Sequence, residues 1–166
     1  MFDDALMARA AALIDRCRDQ NLLLATAESC TGGLIAGLIT AIAGSSDVFD
    51  AGFVTYSNAA KTRMIGVPAE LIASFGTVSE EVARAMADGA IANSRADIAV
   101  AVTGVAGPGG GSAAKPVGLV HCAGHRRGGA AIHKVMRLGD IGRHDVRLRS
   151  VAEALEIAYA LTCLEP

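Results

Sequence analysis

The chain has 166 residues yet weighs only 16.9 kDa, because 33 residues are alanine and 19 are glycine. That length predicts one domain spanning residues 1–166, able to bury roughly 70% of its unfolded surface without disulfide staples, and argues against a multidomain enzyme. Fifteen basic against seventeen acidic residues leave a net charge of −2 with no run of like charges, and there is no Trp. The electrostatic and stacking footprints of a nucleic-acid binder are therefore both missing.

The N-terminus, Met1-Phe-Asp-Asp-Ala5, begins with acids and lacks the basic start and apolar run of an export signal, which predicts a cytoplasmic protein. Leu6, Leu13 and Cys17 recur at helical spacing among charged residues and predict a helix over about 4–20. Leu22-Leu-Leu-Ala-Thr-Ala27 reads as a short buried strand that runs directly into the turn Glu28-Ser-Cys-Thr-Gly-Gly33. The turn opens an uncharged helix to about residue 43, too interrupted by hydroxyls and glycines to span a bilayer, so no membrane contact is expected. Phe53-Val-Thr-Tyr56 is the next strand, followed by helical pieces near 58–65 and 68–75, the second with Pro68 near its start.

Ser79 followed by Glu80 and Glu81 marks the cap and acidic first turn of a helix to about 94. Asp97-Ile-Ala-Val-Ala-Val-Thr103 is a third strand, and a glycine-rich loop separates it from the strand Val117-Gly-Leu-Val-His-Cys122. A strand over about 130–138 and a helix over about 144–163 close the chain. Helices interleave with the early strands, and then three strands follow one another with no room for crossover helices. That order predicts an α/β fold, a three-layer α/β/α sandwich on a mixed β-sheet.

Three segments place polar residues and glycines beyond the C-terminal ends of strands, where open α/β sheets bind ligands: 28–33, 56–61 and 103–115. Ser29 sits where a strand turns into a helix, the setting of a nucleophile elbow, although Ala27 and Thr31 stand where G-x-S-x-G has glycine. From local sequence alone, a helix cap is the favoured reading of Ser29 or Thr31. A serine nucleophile needs a base, and lysine is a candidate because only three occur against twelve arginines. Lys61 follows a strand by one turn among small apolar neighbours whose burial would lower its pKa, while a solvated helix charge is the alternative. Tyr56 is either a partner hydroxyl or a strand-end residue with its hydroxyl at the surface.

The loop Gly104-Val-Ala-Gly-Pro-Gly-Gly-Gly111 fits neither Walker A nor G-x-G-x-x-G and reads as a phosphate cradle or a flexible connection. Arg143, Arg147 and Arg149 open the last helix, either solvated or aimed at a phosphate. Cys17, Cys30, Cys122 and Cys163 lack C-x-x-C spacing and read as buried small residues in a reducing compartment. His121-x-x-x-His125 lacks a helical setting and a third ligand, so no metal is expected.

Taken in order, Ala27-Glu-Ser-Cys-Thr-Gly-Gly33, Tyr56-Ser-Asn-Ala-Ala-Lys61, Val78-Ser-Glu-Glu-Val-Ala83, Thr103-Gly-Val-Ala-Gly-Pro-Gly-Gly-Gly111, Lys115-Pro-Val-Gly118 and Arg143-x-x-x-Arg147 resemble the CinA C-terminal domain family, the nicotinamide-nucleotide amidohydrolases. The resemblance covers about residues 4–163. It implies hydrolysis of the carboxamide of nicotinamide mononucleotide to nicotinate mononucleotide and ammonia, in pyridine nucleotide recycling. It implies no metal or organic cofactor, a small-molecule substrate and a homodimer.

Carried onto this chain, the resemblance makes Ser29 the nucleophile, Lys61 its base and Tyr56 the associated hydroxyl. Backbone amides around Cys30, Thr31 and Gly32 would hold the oxyanion, and Thr103, Gly104, Gly109 and Gly110 would approach the nucleotide. Arg143 would meet its phosphate, but the segment reads Gly139-Asp-Ile-Gly-Arg143, which leaves the choice between Arg143 and Arg147 open. The competing reading is a non-catalytic nucleotide-binding or competence/damage-related regulatory module using the same pocket.

Overall fold

Asp3 accepts the amide of Leu6 at 2.7 Å and so caps the first helix, α1 (Asp4–Asp19), whose buried stripe is Leu6, Ala10, Leu13, Ile14 and Cys17. The computed structural model describes residues 2–164. Five strands follow in one sheet: β1 (Leu24–Glu28), β2 (Phe49–Val54), β3 (Ile98–Gly104), β4 (Leu119–Arg126) and β5 (Ala131–Arg137). Their spatial order is β2-β1-β3-β4-β5, with β1 parallel to both β2 and β3 and the remaining pairs antiparallel. Helices α1, α2 (Leu34–Thr40) and α6 (Arg143–Thr162) cover one face. Helices α3 (Asn58–Ile65), α4 (Ala69–Phe75) and α5 (Glu80–Ala92) cover the other. The expected three-layer α/β/α sandwich on a mixed sheet is therefore what the chain forms.

Several boundaries differ from expectation: β4 starts at Leu119 and runs past Cys122 to Arg126, where it pairs with Ile98, and two others differ for local reasons. The uncharged helix stops at Thr40, where the hydroxyl bonds back to the carbonyl of Ala36 at 2.8 Å, and a 3₁₀ turn follows at Ser45–Asp47. The second strand begins at Phe49 and ends at Val54, leaving Thr55 and Tyr56 beyond it. Asp50 and Gly52, poor strand formers, hid its first half. Asp50 is tolerated at this sheet edge because its carboxylate takes the amide of Arg95 at 2.8 Å and its guanidinium at 2.7 Å.

The alanine-rich composition has a geometric purpose. Along the central strands the larger residues Leu24, Ile98, Val100, Val102, Val120 and Cys122 face α1, α2 and α6. The opposite face presents Ala25, Ala27, Ala99, Ala101 and Ala123 to α5, itself built on Val82, Ala83, Met86, Ala87 and Ala90. Small residues on both surfaces bring α5 close to the sheet, and Gly89 brings it equally close to α3. A Cβ at Gly89 would lie 1.9 Å from the carbonyl oxygen of Ile65. Among the described residues, no helix is long and apolar enough to cross a membrane.

In an unconstrained helix interior Gly→Ala stabilises by about 1 kcal/mol. Here the added methyl meets backbone, so Gly89→Ala should instead destabilise by about 1–3 kcal/mol, lowering Tm by about 2–4 °C per kcal/mol. Thermal unfolding of the variant reads the sign directly. A Tm at or above that of the parent would mean that α3 and α5 are not in this contact.

Candidate active site

The site begins with a carboxylate. Glu28, the last residue of β1, is fully buried, and its carboxylate accepts the amides of Gly33 at 3.0 Å, Ile35 at 3.1 Å and Ala36 at 2.8 Å. It thereby caps α2 from outside the helix, since the cap residue Gly33 (φ 96°) offers no side chain. Ser29 and Thr31 are therefore not helix caps. Their turn is closed by Ser29 N–H to Val102 O at 3.0 Å, Gly32 N–H to Ser29 O at 3.1 Å and Leu34 N–H to Thr31 O at 3.4 Å. Among the described residues, the N–H groups of Cys30 and Thr31 meet no carbonyl, and that of Cys30 faces its own thiol sulfur.

Parallel pairing brings Lys61 to Ser29. In the β1–β2 register Glu28 lies opposite Val54, and Thr55 donates its amide to the Glu28 carbonyl at 2.8 Å, so the chain leaves the sheet beside Ser29. Ser57 accepts the amide of Ala60 at 3.1 Å and caps α3, which carries Lys61 back into the interior. Lys61 is fully buried, with Nζ 3.0 Å from Ser29 Oγ and 2.8 Å from the carbonyl oxygen of Thr55. Burial pushes its amine down from 10.5 to about 8, opposed only by the nearby Cys30. Cys30 itself is pushed up to about 11 by burial, so it is a neutral thiol and not a competing nucleophile.

Two arginines one helical turn apart divide the remaining work. Arg147 donates from Nε to Cys30 O at 3.2 Å and from Nη2 to Thr31 O at 2.8 Å, gripping the carbonyl side of the turn. Arg143, exposed at the start of α6, donates from Nη1 to Gly107 O and from Nη2 to the Tyr56 hydroxyl, both at 2.9 Å. The tyrosine hydroxyl thus joins the arginine, and it makes no hydrogen bond to Ser29 or Lys61.

Other expected residues lie farther from this centre. Thr103 is fully buried and donates its hydroxyl to the carbonyl of Thr77 at 2.9 Å. Gly104 admits β4, since a Cβ there would lie 2.7 Å from Val120 Cγ2. Cβ positions at Gly109 and Gly110 meet nothing within 4 Å, in the exposed part of the loop. Three cysteines are buried as expected, but Cys163 is exposed beyond the end of α6. His121 and His125 serve different partners: His121 Nδ1 lies 3.0 Å from His133 Nε2, and His125 Nδ1 lies 2.6 Å from Asp88 on α5. Glu28 and the clamp by Arg147 escaped the sequence reading. A signal for the first was present, because Glu28 is the single charged residue between Asp19 and Asp47.

Fold and site together define a single-domain α/β protein with a buried serine–lysine pair at the C-terminal edge of a mixed sheet. The chain belongs to the CinA family, the CinA C-terminal domain model matching residues 7–162. Its structure is similar to the competence/damage inducible protein CihA from Agrobacterium tumefaciens, with TM-score 0.95 and 55% identity over 97% of this chain and 98% of that one. A CinA superfamily protein from Escherichia coli matches with TM-score 0.88 and 35% identity, covering 99% and 94% of the two chains. CinA-like proteins from Akkermansia muciniphila and Citrifermentans bemidjiense are 53% and 56% identical over 75% and 76% of this chain. The chain spans only 30% of the length of these two curated relatives.

Replacing the Glu28 carboxylate with an amide removes the charge and turns an N–H donor toward helix amides. Glu28→Gln should therefore cost at least about 2 kcal/mol by denaturant titration. Parental stability would show that the carboxylate does not hold α2. Lys61 behaves oppositely. Its folded pKa of about 8 lies below the ordinary 10.5, so the buried ammonium opposes folding fully below pH 8, and the opposition fades as pH rises toward 10.5. That shift is worth about 3 kcal/mol, reduced by about 1 kcal/mol for the bond lost to the Thr55 carbonyl. Lys61→Met should stabilise the protein at pH 7 and lose that advantage above pH 10.5; a gain independent of pH would contradict the assignment.

Proposed function

We propose that the protein is an amidohydrolase that converts nicotinamide mononucleotide to nicotinate mononucleotide and ammonia through Ser29 and Lys61. One observation carries the reading: a fully buried lysine whose amine lies 3.0 Å from a serine hydroxyl at a strand-to-helix turn. The choice of substrate rests on the sequence resemblance, and membership of the CinA family agrees with it. Lys61, lowered toward neutrality, takes the Ser29 proton as Oγ attacks the carboxamide carbon. The N–H groups of Cys30 and Thr31, which meet no carbonyl, are the donors nearest to the developing oxyanion along the chain.

As the C–N bond breaks, the Lys61 ammonium returns the proton to the leaving nitrogen, which departs as ammonia and leaves an ester on Ser29. Water, deprotonated by the same amine, then hydrolyses that ester to the carboxylate and restores the serine. We assign the phosphate to Arg143, which is exposed at the start of α6 and would exchange its bonds to Gly107 O and the Tyr56 hydroxyl for the anion, whereas the less exposed Arg147 holds the carbonyls of Cys30 and Thr31. The three buried cysteines suit a reducing cytoplasm, and we read the active form as a homodimer.

Ammonia release from nicotinamide mononucleotide should fall at least about 1,000-fold in Ser29→Ala and in Lys61→Ala, with both variants still folded by circular dichroism. For the parent, kcat/KM should drop about tenfold per pH unit below pH 8, because the base must lose its proton. Full turnover in either variant would remove that residue from the reaction, and binding of the mononucleotide without turnover would favour a regulatory module.

A further inference from the structure

Tyr56 is unlike the rest of the site. It is 59% exposed, whereas Ser29 is 8% exposed and Lys61 is fully buried. An acid or base working beside the serine–lysine pair would share a hydrogen bond with it, yet the phenol oxygen is engaged by Arg143 Nη2 at 2.9 Å. The same guanidinium holds Gly107 O at 2.9 Å, so the ring is tethered between α6 and the glycine-rich loop. A tyrosine held in this way keeps little of the freedom that binding would otherwise remove.

Its position is equally specific. The ring lies beside the nucleophile's turn, where a Cβ at Gly32 would come within 3.9 Å of Tyr56 Cε2. Gly32, at φ 61°, adds no side chain to that flank, where Arg147 Nη2 is the nearer group at 3.5 Å from the same Cβ position. Two residues earlier, Val54 is 45% exposed, and its Cγ2 lies 3.4 Å from the Cβ position of Gly33. Val54 and Tyr56 therefore form an exposed apolar strip beside the turn whose amides at Cys30 and Thr31 meet no carbonyl. A planar ring carrying a carboxamide could lie on the tyrosine face while its amide reaches those N–H groups.

We propose that Tyr56 binds the substrate by stacking against its pyridine ring and sets the preference for planar heteroaromatic amides, with no proton-transfer role. The assignment rests on the amidohydrolase reading for its substrate class, but it can be tested without turnover. The chain has no Trp and two tyrosines, Tyr56 and Tyr159, so Tyr159→Phe leaves Tyr56 as the single fluorophore. Adding nicotinamide mononucleotide to Tyr159→Phe should quench that emission saturably. Tyr56→Phe, reporting only Tyr159, should show nothing beyond optical attenuation by the ligand. Identical attenuation in the two variants overturns the proposal.

Kinetics supply the second arm. Tyr56→Phe keeps the ring and should raise KM far less than Tyr56→Leu, which should raise it about 10-fold to 100-fold. A kcat loss of 100-fold or more in Tyr56→Phe would return the hydroxyl to proton transfer and sink the proposal. Saturable quenching in a parent that releases no ammonia would sink the amidohydrolase reading and leave the stacking surface standing.

Discussion

The grip of the Glu28 carboxylate on three amides of α2 organises everything at this end of the sheet. A helix starting straight after a buried strand normally finds its cap in the turn. Here the strand supplies the cap, and the turn is released from that duty. With the amides of Gly33, Ile35 and Ala36 taken by Glu28, and those of Ser29, Gly32 and Leu34 taken by carbonyls, the Cys30 and Thr31 donors are left over. Ser29 is likewise free to present its oxygen to Lys61. Glu28 bonds to backbone amides and makes no hydrogen bond to the lysine, and Lys61 keeps a lowered pKa set by burial.

The cost of the base explains the packing around it. Burying an amine that titrates near 8 opposes folding at neutral pH, so the rest of the chain must offset it. The alanine faces of β1, β3 and α5, and the contact of Gly89 with α3, provide dense small-residue packing on the side from which Lys61 enters. Low mass per residue is thus tied to function. Large side chains between α5 and the sheet would stand the helices off, and α3 could not deliver its lysine to the sheet edge.

Local signals made part of this legible. The Ser79 hydroxyl accepts the amide of Val82 and starts α5 as its sequence suggests, and the apolar repeat of α1 survives in its buried stripe. The antiparallel half of the sheet followed from three strands with no room for helices between them. Long-range features were legible only through resemblance: Ser29 and Lys61 lie 32 residues apart and meet because β1 and β2 pair in parallel, a register that no local pattern encodes. The role of Glu28 depends on amides five to eight residues ahead being presented as a helix end, so a bare carboxylate at the end of a strand is silent about it.

The two arginines of α6 show why spacing could narrow a choice without making it. Four residues apart on one helix, Arg143 and Arg147 face the same region and look equivalent in sequence. Their environments separate them. Arg147 is the deeper of the two, and its donors are spent on the carbonyls of Cys30 and Thr31. Arg143, on the exposed first turn of α6, holds one wall of the site through Gly107 and the other through Tyr56. A ligand anion arriving there would compete with those two bonds, so engaging it and loosening the loop are physically the same event. Arg143 is therefore the latch between the tyrosine and the glycine-rich loop.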